Sequence, residues 1–379
     1  SWDQGYGDFH LEVDLSTLRR AAWQDGAALV LCDLSGDDHQ PVAPAPRQVL
    51  ARQLEQLAAR NMRAMMGSEL EFYLFRETYE DIGRKGFRDP QPSSEYLVDY
   101  HLLQPARDED VMRRIRNELN ESDVPVEGSK GEWGRGQHEL NLLFAEAQEM
   151  ADRHVVFKHA AKEIAAQQGR AVSFMAKLAA EQAGSSFHLH SSLWDAAGKR
   201  SLFTDDEGHA TDEFRWFLGG LLRYGRELTY FFAPTVNSYK RYQAESWAPT
   251  ALVWADDNRT TAYRVVGHGK ARRVENRSPG ADANPYLAFA ATLVAGMAGI
   301  AEKIDCGDAY QGNAYADTSL PRLPNSLADA AELLSDSELA RDALGDDVVD
   351  FYVHTAQLEA AAYAQAVTDW ERARYFERI

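Results

Sequence analysis

The chain has 379 residues, of which 45% are hydrophobic and 26% are charged, so it can bury the core of one large or two ordinary domains and is not a disordered chain. Forty lysines and arginines against 59 aspartates and glutamates give a formal charge of −19, which argues against a protein that follows nucleic-acid phosphates along a basic face. Two cysteines are too few for a disulfide scaffold or a cysteine-rich zinc site, and a reducing cytoplasm is the expected location.

The first 42 residues have the pattern of strands joined by loops. Alternating apolar residues at 10–14 and an apolar run at 27–32 predict two short strands, which could not bury a core by themselves. The proline-rich sequence PVAPAP at 41–46 follows and predicts a connector. We therefore predict a domain boundary here, between residues 1–42 and residues 43–379.

Helical periodicity is strongest in four later stretches. Apolar spacing predicts helices over residues 47–60, 152–168, 212–232 and 348–379. The longest apolar run, residues 286–301, is short for a membrane-spanning helix, and we expect a buried core helix and no membrane association. Strand-like and helical segments alternate irregularly without an internal repeat, which predicts an α+β fold with helices backing a mostly antiparallel sheet.

Four predicted strands carry polar or ionisable side chains at every second position, which places these side chains on one face of each strand. One such strand could simply face solvent. Four of them, built from residue types that are mediocre strand formers, favour a site, because neighbouring carboxylates repel unless a cation lies between them. Several glutamates with an imidazole and no thiolate favour Mg²⁺ or Mn²⁺ over structural zinc. The four strands are GSELEFYLF at 67–75, QHELNLLF at 137–144, FHLHSSL at 187–193 and RRVENR at 272–277.

Basic residues are concentrated in a second set of motifs, between residues 237 and 277. Several of these arginines alternate with apolar residues on predicted strands, which argues against a solvated patch. Arginine forks suit carboxylate and phosphate oxygens. Divalent metals beside arginines in an acidic protein indicate phosphoryl transfer from a nucleotide. The chain has no GxxxxGK[ST] sequence, so a P-loop enzyme is excluded.

Six motifs, in this order and at family-like separations, resemble glutamine synthetase and more closely its bacterial γ-glutamyl-amine ligase relatives. The resemblance covers nearly the whole chain. The motifs are ELE at 69–71, EWGRGQHE at 132–139, FHLH at 187–190, NSYKR at 237–241, DNR at 257–259, and KARRVENR at 270–277 followed by ANPYL at 283–287.

The resemblance implies a small N-terminal β-grasp domain, which this chain enters partway, and a large catalytic domain. In the catalytic domain a curved antiparallel sheet forms a funnel that is backed by helices. The resemblance also implies a homo-oligomer of two stacked hexameric rings, a dodecamer, with each active site between neighbouring subunits.

The resemblance also assigns roles to individual residues. One metal site would consist of Glu71, Glu132 and Glu139, and a second one of Glu69, His188 and Glu275. The positions on the nucleotide side are Glu127, His190, Ser192, Arg264 and Arg273. The glutamate substrate would be held by Gly184, Arg241 and Arg277, with Arg259 near the transferred phosphate.

The implied reaction has two steps. ATP phosphorylates the γ-carboxylate of L-glutamate, because a free carboxylate is a poor acyl donor, and an amine then displaces phosphate to form a γ-glutamyl amide. Metals would neutralise the charge that moves in the first step.

The chain departs from ammonia-using members where the amine would bind. Those members have GYEAP after the YKR segment, with a glutamate that accepts a proton from ammonium, but here Trp247 occupies that position. An indole cannot accept that proton, yet it can line an apolar pocket or lie against an alkylammonium. Asp8 matches an acidic position in the wall that a neighbouring subunit contributes, and the family's ammonium-site aspartate falls upstream of Ser1. These departures favour a primary amine, such as an alkylamine, ethanolamine, a polyamine or an aromatic amine.

Three alternatives stay open at this level. The first is a true glutamine synthetase that uses ammonia. The second is a non-catalytic structural relative, although all six metal-ligand positions are filled. The third is a guanidine kinase with the same fold. Such an enzyme phosphorylates a guanidinium group and would not need two arginines to bind the carboxylates of glutamate.

Overall fold

The computed structural model describes residues 7–379, so the first six residues of the predicted N-terminal domain lie outside the described part. Two strands, β1 (His10–Arg20) and β2 (Ala28–Ser35), pair antiparallel and form a small sheet of their own. Both strands predicted for this region are therefore present. The domain boundary at residue 42 stays a prediction.

A second, larger sheet forms the centre of the molecule. Its strands follow the spatial order β4-β5-β3-β7-β10-β9-β8, with β6 paired to β3. All pairs are antiparallel except β8 and β9, which run parallel, so the mostly antiparallel sheet and the α+β class are confirmed. The strands are β3 (Met62–Phe75), β4 (Val126–Gly131), β5 (Gln137–Glu146), β6 (Ala171–Ser173), β7 (Phe187–Asp195), β8 (Trp254–Asp256), β9 (Tyr263–Val266) and β10 (Arg273–Asn276).

Helices are distributed over the whole chain. They are α1 (Pro46–Ala59), α2 (Tyr79–Arg84), α3 (Leu103–Ala106), α4 (Glu109–Asn120), α5 (Ala147–Gln167), α6 (Asp212–Tyr224), α7 (Pro285–Glu302), α8 (Leu327–Ser335), α9 (Glu338–Leu344), α10 (Asp346–Ala364) and α11 (Asp369–Tyr375). The helices predicted at 47–60 and 152–168 are confirmed by α1 and α5.

Two predicted helices end earlier than expected. The helix predicted over 212–232 stops at Tyr224, because Gly225 follows, and a short 3₁₀ turn at Thr229–Phe231 replaces the rest. The helix predicted over 348–379 divides into α10 and α11. Thr368 and Glu371 form a capping box that begins a new helix, so the chain does not continue as one rod.

Helix α7 lies in the core, as the sequence predicts. Among the described residues it is the one helix that is long and apolar enough to cross a membrane, but 72% of the stretch in question is buried inside the protein. Ala288 and Phe289, for example, are fully enclosed. Burial of this kind is what a core helix of a folded domain shows.

Polar and apolar side chains alternate along β3, so one face of this strand belongs to the hydrophobic core and the other face belongs to the candidate site. Leu70, Phe72 and Leu74 are fully buried in the hydrophobic core, whereas Glu69 and Glu71 project from the opposite face. The helix α5 packs against β3 and β5 on the core side. The opposite face of the sheet is therefore the one that is left for chemistry.

The side chain of Arg47, in the first turn of α1, joins the small sheet to the rest of the molecule. Its guanidinium lies 2.7 Å from Asp14 on β1, 2.9 Å from Asp33 on β2 and 3.0 Å from Asp152 on α5. Asp152 also accepts a hydrogen bond of 2.6 Å from the hydroxyl of Tyr286 on α7. One cation thus holds four elements together.

Candidate active site

The polar faces of four strands meet on one side of the large sheet. In the register of the sheet Glu71 lies opposite Glu139 across β3 and β5, and Glu69 lies opposite His188 across β3 and β7. On the far side of β7, Glu275 of β10 lies opposite His190. Because β5, β3, β7 and β10 are consecutive neighbours, these side chains form one continuous polar surface.

Three of these side chains form a first group that could hold a metal ion. Glu69, His188 and Glu275 each offer one ligand atom, and these atoms all lie within 4.8 Å of one another. Nδ1 of His188 is 3.2 Å from Glu69 Oε2 and 3.7 Å from Glu275 Oε1. The three residues are the set that the sequence resemblance assigns to one metal site.

A second group adjoins the first. Glu71, Glu139 and again His188 bring their ligand atoms within 4.8 Å of one another. Glu132, which the resemblance places with Glu71 and Glu139, is not part of this group. Its carboxylate pairs with the ammonium of Lys130, which also lies 3.7 Å from Glu139.

Sequence reasoning missed Lys130, although the sheet register explains its place. Lys130 lies on β4 directly opposite Glu139 on β5. Strand β4 had not been predicted, so this pairing could not be anticipated.

Burial and charge act differently on the carboxylates. Burial is the main cause that raises the pKa of Glu71, and the nearby charge of Glu139 raises it further, although the N–H of Ser186 donates to it at 2.7 Å. Burial also works to raise the pKa of Glu69, but hydrogen bonds with His188 and His190 outweigh it and hold that pKa far below its ordinary value.

Glu275 has a cationic environment. Burial alone would raise its pKa, but the guanidinium of Arg277 and the two histidines outweigh this effect and lower the pKa to about 2. Arg264, which faces Glu275 across β9 and β10, donates to its Oε2 at 2.7 Å. Glu275 is therefore ionised and held in place from several sides.

A cavity of about 320 Å³ opens beside the first group and contains most of the predicted nucleotide positions. Glu127, His190, Ser192 and Arg273 line it, whereas Arg264 is not among its lining residues and instead joins Glu275 to Asp257. Other walls of the cavity were not assigned to the nucleotide from the sequence. They include Met65, Leu142, Phe144 and Trp194 on the apolar side and Lys270 on the basic side. Apolar walls with a few cations suit a base and its phosphates.

The three residues predicted to hold glutamate lie together. Arg241 is 1% exposed and donates to Ser186 Oγ at 3.2 Å and to the carbonyl of Ser278. A β-carbon at Gly184 would lie 2.5 Å from Cγ of Arg241, so only glycine fits against this side chain. Arg277 donates to Glu275 and, at 3.2 Å, to the carbonyl oxygen of Trp247.

Both arginines retain a donor that could serve an anionic ligand. The Nε–H groups of Arg241 and Arg277 are buried and have no hydrogen-bond partner within residues 7–379. An unpaired buried donor is costly, and binding of a carboxylate would satisfy it.

Three predicted residues are not drawn into this cluster by side-chain contacts. Asp8 and Arg259 are exposed and have neither a hydrogen bond nor an ion pair with another described residue. The indole of Trp247 is 56% exposed, and its backbone has a left-handed φ of 63°. The role predicted for Asp8, in the active site of a neighbouring subunit, stays a prediction.

Comparison with known proteins identifies the family. Residues 43–375 match the family described as glutamine synthetase, catalytic domain. The gamma-glutamylethanolamide synthetase GlnA4 of Streptomyces coelicolor is 47% identical over 100% of this chain and 81% of its own length. Type-1 glutamine synthetase 2 of Dictyostelium discoideum is 37% identical over 99% of this chain and 73% of its own length. The glutamate–isopropylamine ligase of a Pseudomonas species is 36% identical over 100% of this chain and 83% of its own length.

The fold is also found among solved structures. The structure "Apo GmaS without ligand" superposes with a TM-score of 0.88 at 30% sequence identity, and the alignment covers 98% of this chain and 86% of that chain. The sequence match spans the large sheet and all but the last four residues of the helical C-terminal region. The chain belongs to the glutamine synthetase family.

Proposed function

We propose that the protein is an ATP-dependent ligase that phosphorylates the γ-carboxylate of L-glutamate and couples it to a primary amine. The products would be a γ-glutamyl amide, ADP and phosphate. The observation that carries this proposal is the convergence of the two carboxylate–histidine groups between a nucleotide-sized cavity and two buried arginines. Relatives named for ethanolamide, isopropylamine and anilide chemistry support the choice of an amine.

The donor set fits hard divalent cations. Glu69, His188 and Glu275 would hold one Mg²⁺ or Mn²⁺ ion, and Glu71 with Glu139 would hold another, with Glu132 joining once it leaves Lys130. Bound ions would neutralise phosphate charge during transfer. Carboxylate oxygens outnumber the single shared imidazole, and a thiolate does not contribute to either group.

Different basic residues would bind the glutamate substrate and the phosphates of ATP. Arg241 and Arg277 would grip the carboxylates of glutamate with their unsatisfied Nε–H groups. Arg273 and His190, which line the cavity and lie 3.1 Å apart, would contact the phosphates of ATP. Arg259, which is exposed and makes neither a hydrogen bond nor an ion pair with another described residue, would reach the transferred phosphate after ATP has bound.

Trp247 would form the wall against which the amine lies. It stands where ammonia-using members have a carboxylate, and more than half of its side chain is exposed beside Arg277. An indole offers apolar contact and cation–π attraction but cannot take up a proton. Ethanolamine leads the list of test amines, because the ethanolamide synthetase is 47% identical over the full chain.

A panel of amines tests the proposal. Purified protein with ATP, Mg²⁺ and L-glutamate is assayed for phosphate release with ammonia, ethanolamine, isopropylamine, aniline and a polyamine. We expect at least one primary amine to give a kcat/KM at least about tenfold above that of ammonia, the equivalent of about 1.4 kcal/mol. Identification of the amide by mass spectrometry completes the assay.

The other outcomes distinguish the alternatives. Ammonia as the best substrate would indicate a true glutamine synthetase, which the Dictyostelium relative favours. The absence of turnover with every amine would indicate a non-catalytic relative. ADP formation with a guanidine and without glutamate would indicate a guanidine kinase.

Three broader features belong to the same proposal. A small sheet that is separate from the main sheet supports the division into residues 1–42 and 43–379. Two stacked hexameric rings would bring Asp8 of one subunit to the active site of its neighbour. A cytoplasmic location belongs to the same proposal, and the burial of α7 indicates a core helix.

A further inference from the structure

The loop that carries Trp247 is held in a strained backbone conformation. Residues 244–249 contain two non-glycine residues with left-handed backbone angles, Glu245 at φ 60° and Trp247 at φ 63°. Residues with side chains adopt this region rarely, and it persists only where the surrounding structure holds it. The contacts that hold this loop therefore decide where the indole lies.

Contacts from the substrate side hold the first part of the loop. Oγ of Ser246 donates to the carbonyl oxygens of Gln243 at 2.6 Å and of Arg241 at 3.1 Å. Arg277 donates to the carbonyl of Trp247 at 3.2 Å. These bonds attach the loop to the two arginines that are proposed to grip glutamate.

A different segment holds the end of the loop. The hydroxyl of Tyr315 donates to the carbonyl oxygen of Ala248 at 2.9 Å, immediately after Trp247. The ring of Tyr315 is half-buried, and this bond joins residues 67 positions apart in the chain. Among the described residues, the other side-chain hydrogen bonds of the loop involve Ser246 and Arg277. The bond from Tyr315 is the one that comes from a segment outside the proposed glutamate site.

The segment around Tyr315 is itself firmly anchored. The carbonyl of Pro321 accepts from the N–H of Leu252 at 2.8 Å, and the carbonyl of Thr250 accepts from the N–H of Leu323 at 3.2 Å. The guanidinium of Arg322 adds a bond of 2.8 Å to the hydroxyl of Thr250. Residues 321–323 are therefore bound to residues 250–252, which directly follow the loop.

We propose that Tyr315 is a positioning residue that fixes the Trp247 wall and thereby sets the affinity and the selectivity for the amine. The inference rests on the proposed function and extends it to a residue that does not touch the reacting atoms. Without the hydroxyl, the carbonyl of Ala248 loses its partner and the strained loop can relax. The indole then moves, whereas the metal ligands and the cavity keep their own contacts.

The test compares two tyrosine-to-phenylalanine substitutions on the same segment. Tyr315→Phe removes the bond to Ala248. Tyr310→Phe is the matched control, because its hydroxyl interacts with the carbonyl of Asn313, at 3.5 Å, and with the carboxylate of Asp317, both within the same segment. KM values for the best amine, for glutamate and for ATP are measured for each variant and for the unaltered protein.

We expect Tyr315→Phe to raise the KM for the amine about fivefold, the effect of losing one ordinary hydrogen bond, with the KM values for glutamate and ATP within about twofold of the unaltered protein. The preference for the amine over ammonia should fall by a similar factor. Tyr310→Phe should match the unaltered protein throughout.

Two results would overturn the inference. An unchanged amine KM would show that Tyr315 does not position the wall, and an equal rise in all three KM values would show a general structural role. Ser246→Ala loosens the same loop from its other end and provides a second measurement if Tyr315→Phe does not fold. Failure of the proposed function would be visible separately, because the unaltered protein would then turn over no amine.

Discussion

Glu275 is a residue at which several interactions of the site meet. It belongs to the first metal-capable group, it is fully buried, and it pairs with both Arg264 and Arg277. The pattern RRVENR at 272–277 already indicated an inward-facing carboxylate between arginines. What the pattern could not show is that one arginine comes from β9, directly across the sheet.

Substitution of Glu275 should abolish most of the activity without unfolding the protein. Glu275→Gln keeps the shape and one acceptor oxygen but removes the charge that a cation requires. We expect phosphate release to fall by at least about 100-fold, because a metal ligand is lost. Circular dichroism checks the fold, and Glu55→Gln, on the exposed face of α1, serves as the control. Full activity of Glu275→Gln would refute the metal assignment.

A second prediction at the residue scale concerns Trp247, which we propose as the wall of the amine site. Trp247→Glu restores a carboxylate where ammonia-using members have one, so a proton acceptor replaces an apolar wall. We expect the ratio of kcat/KM for ammonia to that for the best amine to rise at least about tenfold, or about 1.4 kcal/mol. The exposed Trp370→Glu on α11 is the matched control. An unaltered ratio would mean that Trp247 does not line the amine site.

At the scale of elements, Arg47 attaches the small sheet to the rest of the molecule, together with the ion pairs Arg19–Glu149 and Arg20–Glu121. Arg47 neutralises Asp14, Asp33 and Asp152, and the attraction of these carboxylates raises the pKa of its guanidinium although burial opposes it. The proline-rich connector before α1 was visible in the sequence. The three acidic partners could not be assigned from it, because they come from β1, β2 and α5.

Removal of this cation should loosen the attachment. In Arg47→Met three carboxylates lose their shared partner, and we expect the free energy of unfolding to fall by about 2–3 kcal/mol, less than for a fully buried pair because Asp14 and Asp33 are partly exposed. Urea denaturation measures the change, with the exposed Arg60→Met at the other end of α1 as control. A loss below about 0.5 kcal/mol would show that the cluster does not secure the small sheet.

At the scale of the whole molecule, the site places several acidic groups inside an already acidic protein. In the metal-free protein the lowered pKa values of Glu69 and Glu275 favour folding above pH 4.5, and this contribution is lost as pH falls towards their folded values. The raised pKa of Glu71 acts in the opposite direction, because its contribution exists below pH 4.5 and is lost as pH rises through its folded value. A bound divalent ion would stabilise the ionised form of Glu71 and so remove the loss of stability that its ionisation causes.

Metal binding should therefore stabilise the protein in a pH-dependent manner. We expect Mn²⁺ or Mg²⁺ to raise the melting temperature by several degrees at pH 7.5, corresponding to roughly 2.7 kcal/mol at 100 times the Kd. At pH 5 the rise should be smaller, because Glu71 must lose its proton before it can bind. Differential scanning fluorimetry with KCl at equal ionic strength measures the difference, and an equal rise at both pH values would contradict it.

The amino-acid sequence alone determined which side chains face the site on each strand. A period of two places Glu69 and Glu71 on one face and Leu70 on the other, whatever strand comes next, and the six motifs identified the family. The tertiary structure alone decided which strands are neighbours. It therefore decided that His188 serves both groups, that Lys130 faces Glu139, and that Tyr315 reaches the Trp247 loop. The physical reason is that periodicity is a local property of the backbone, whereas these contacts depend on strand order and on loops that bring together residues far apart in the chain.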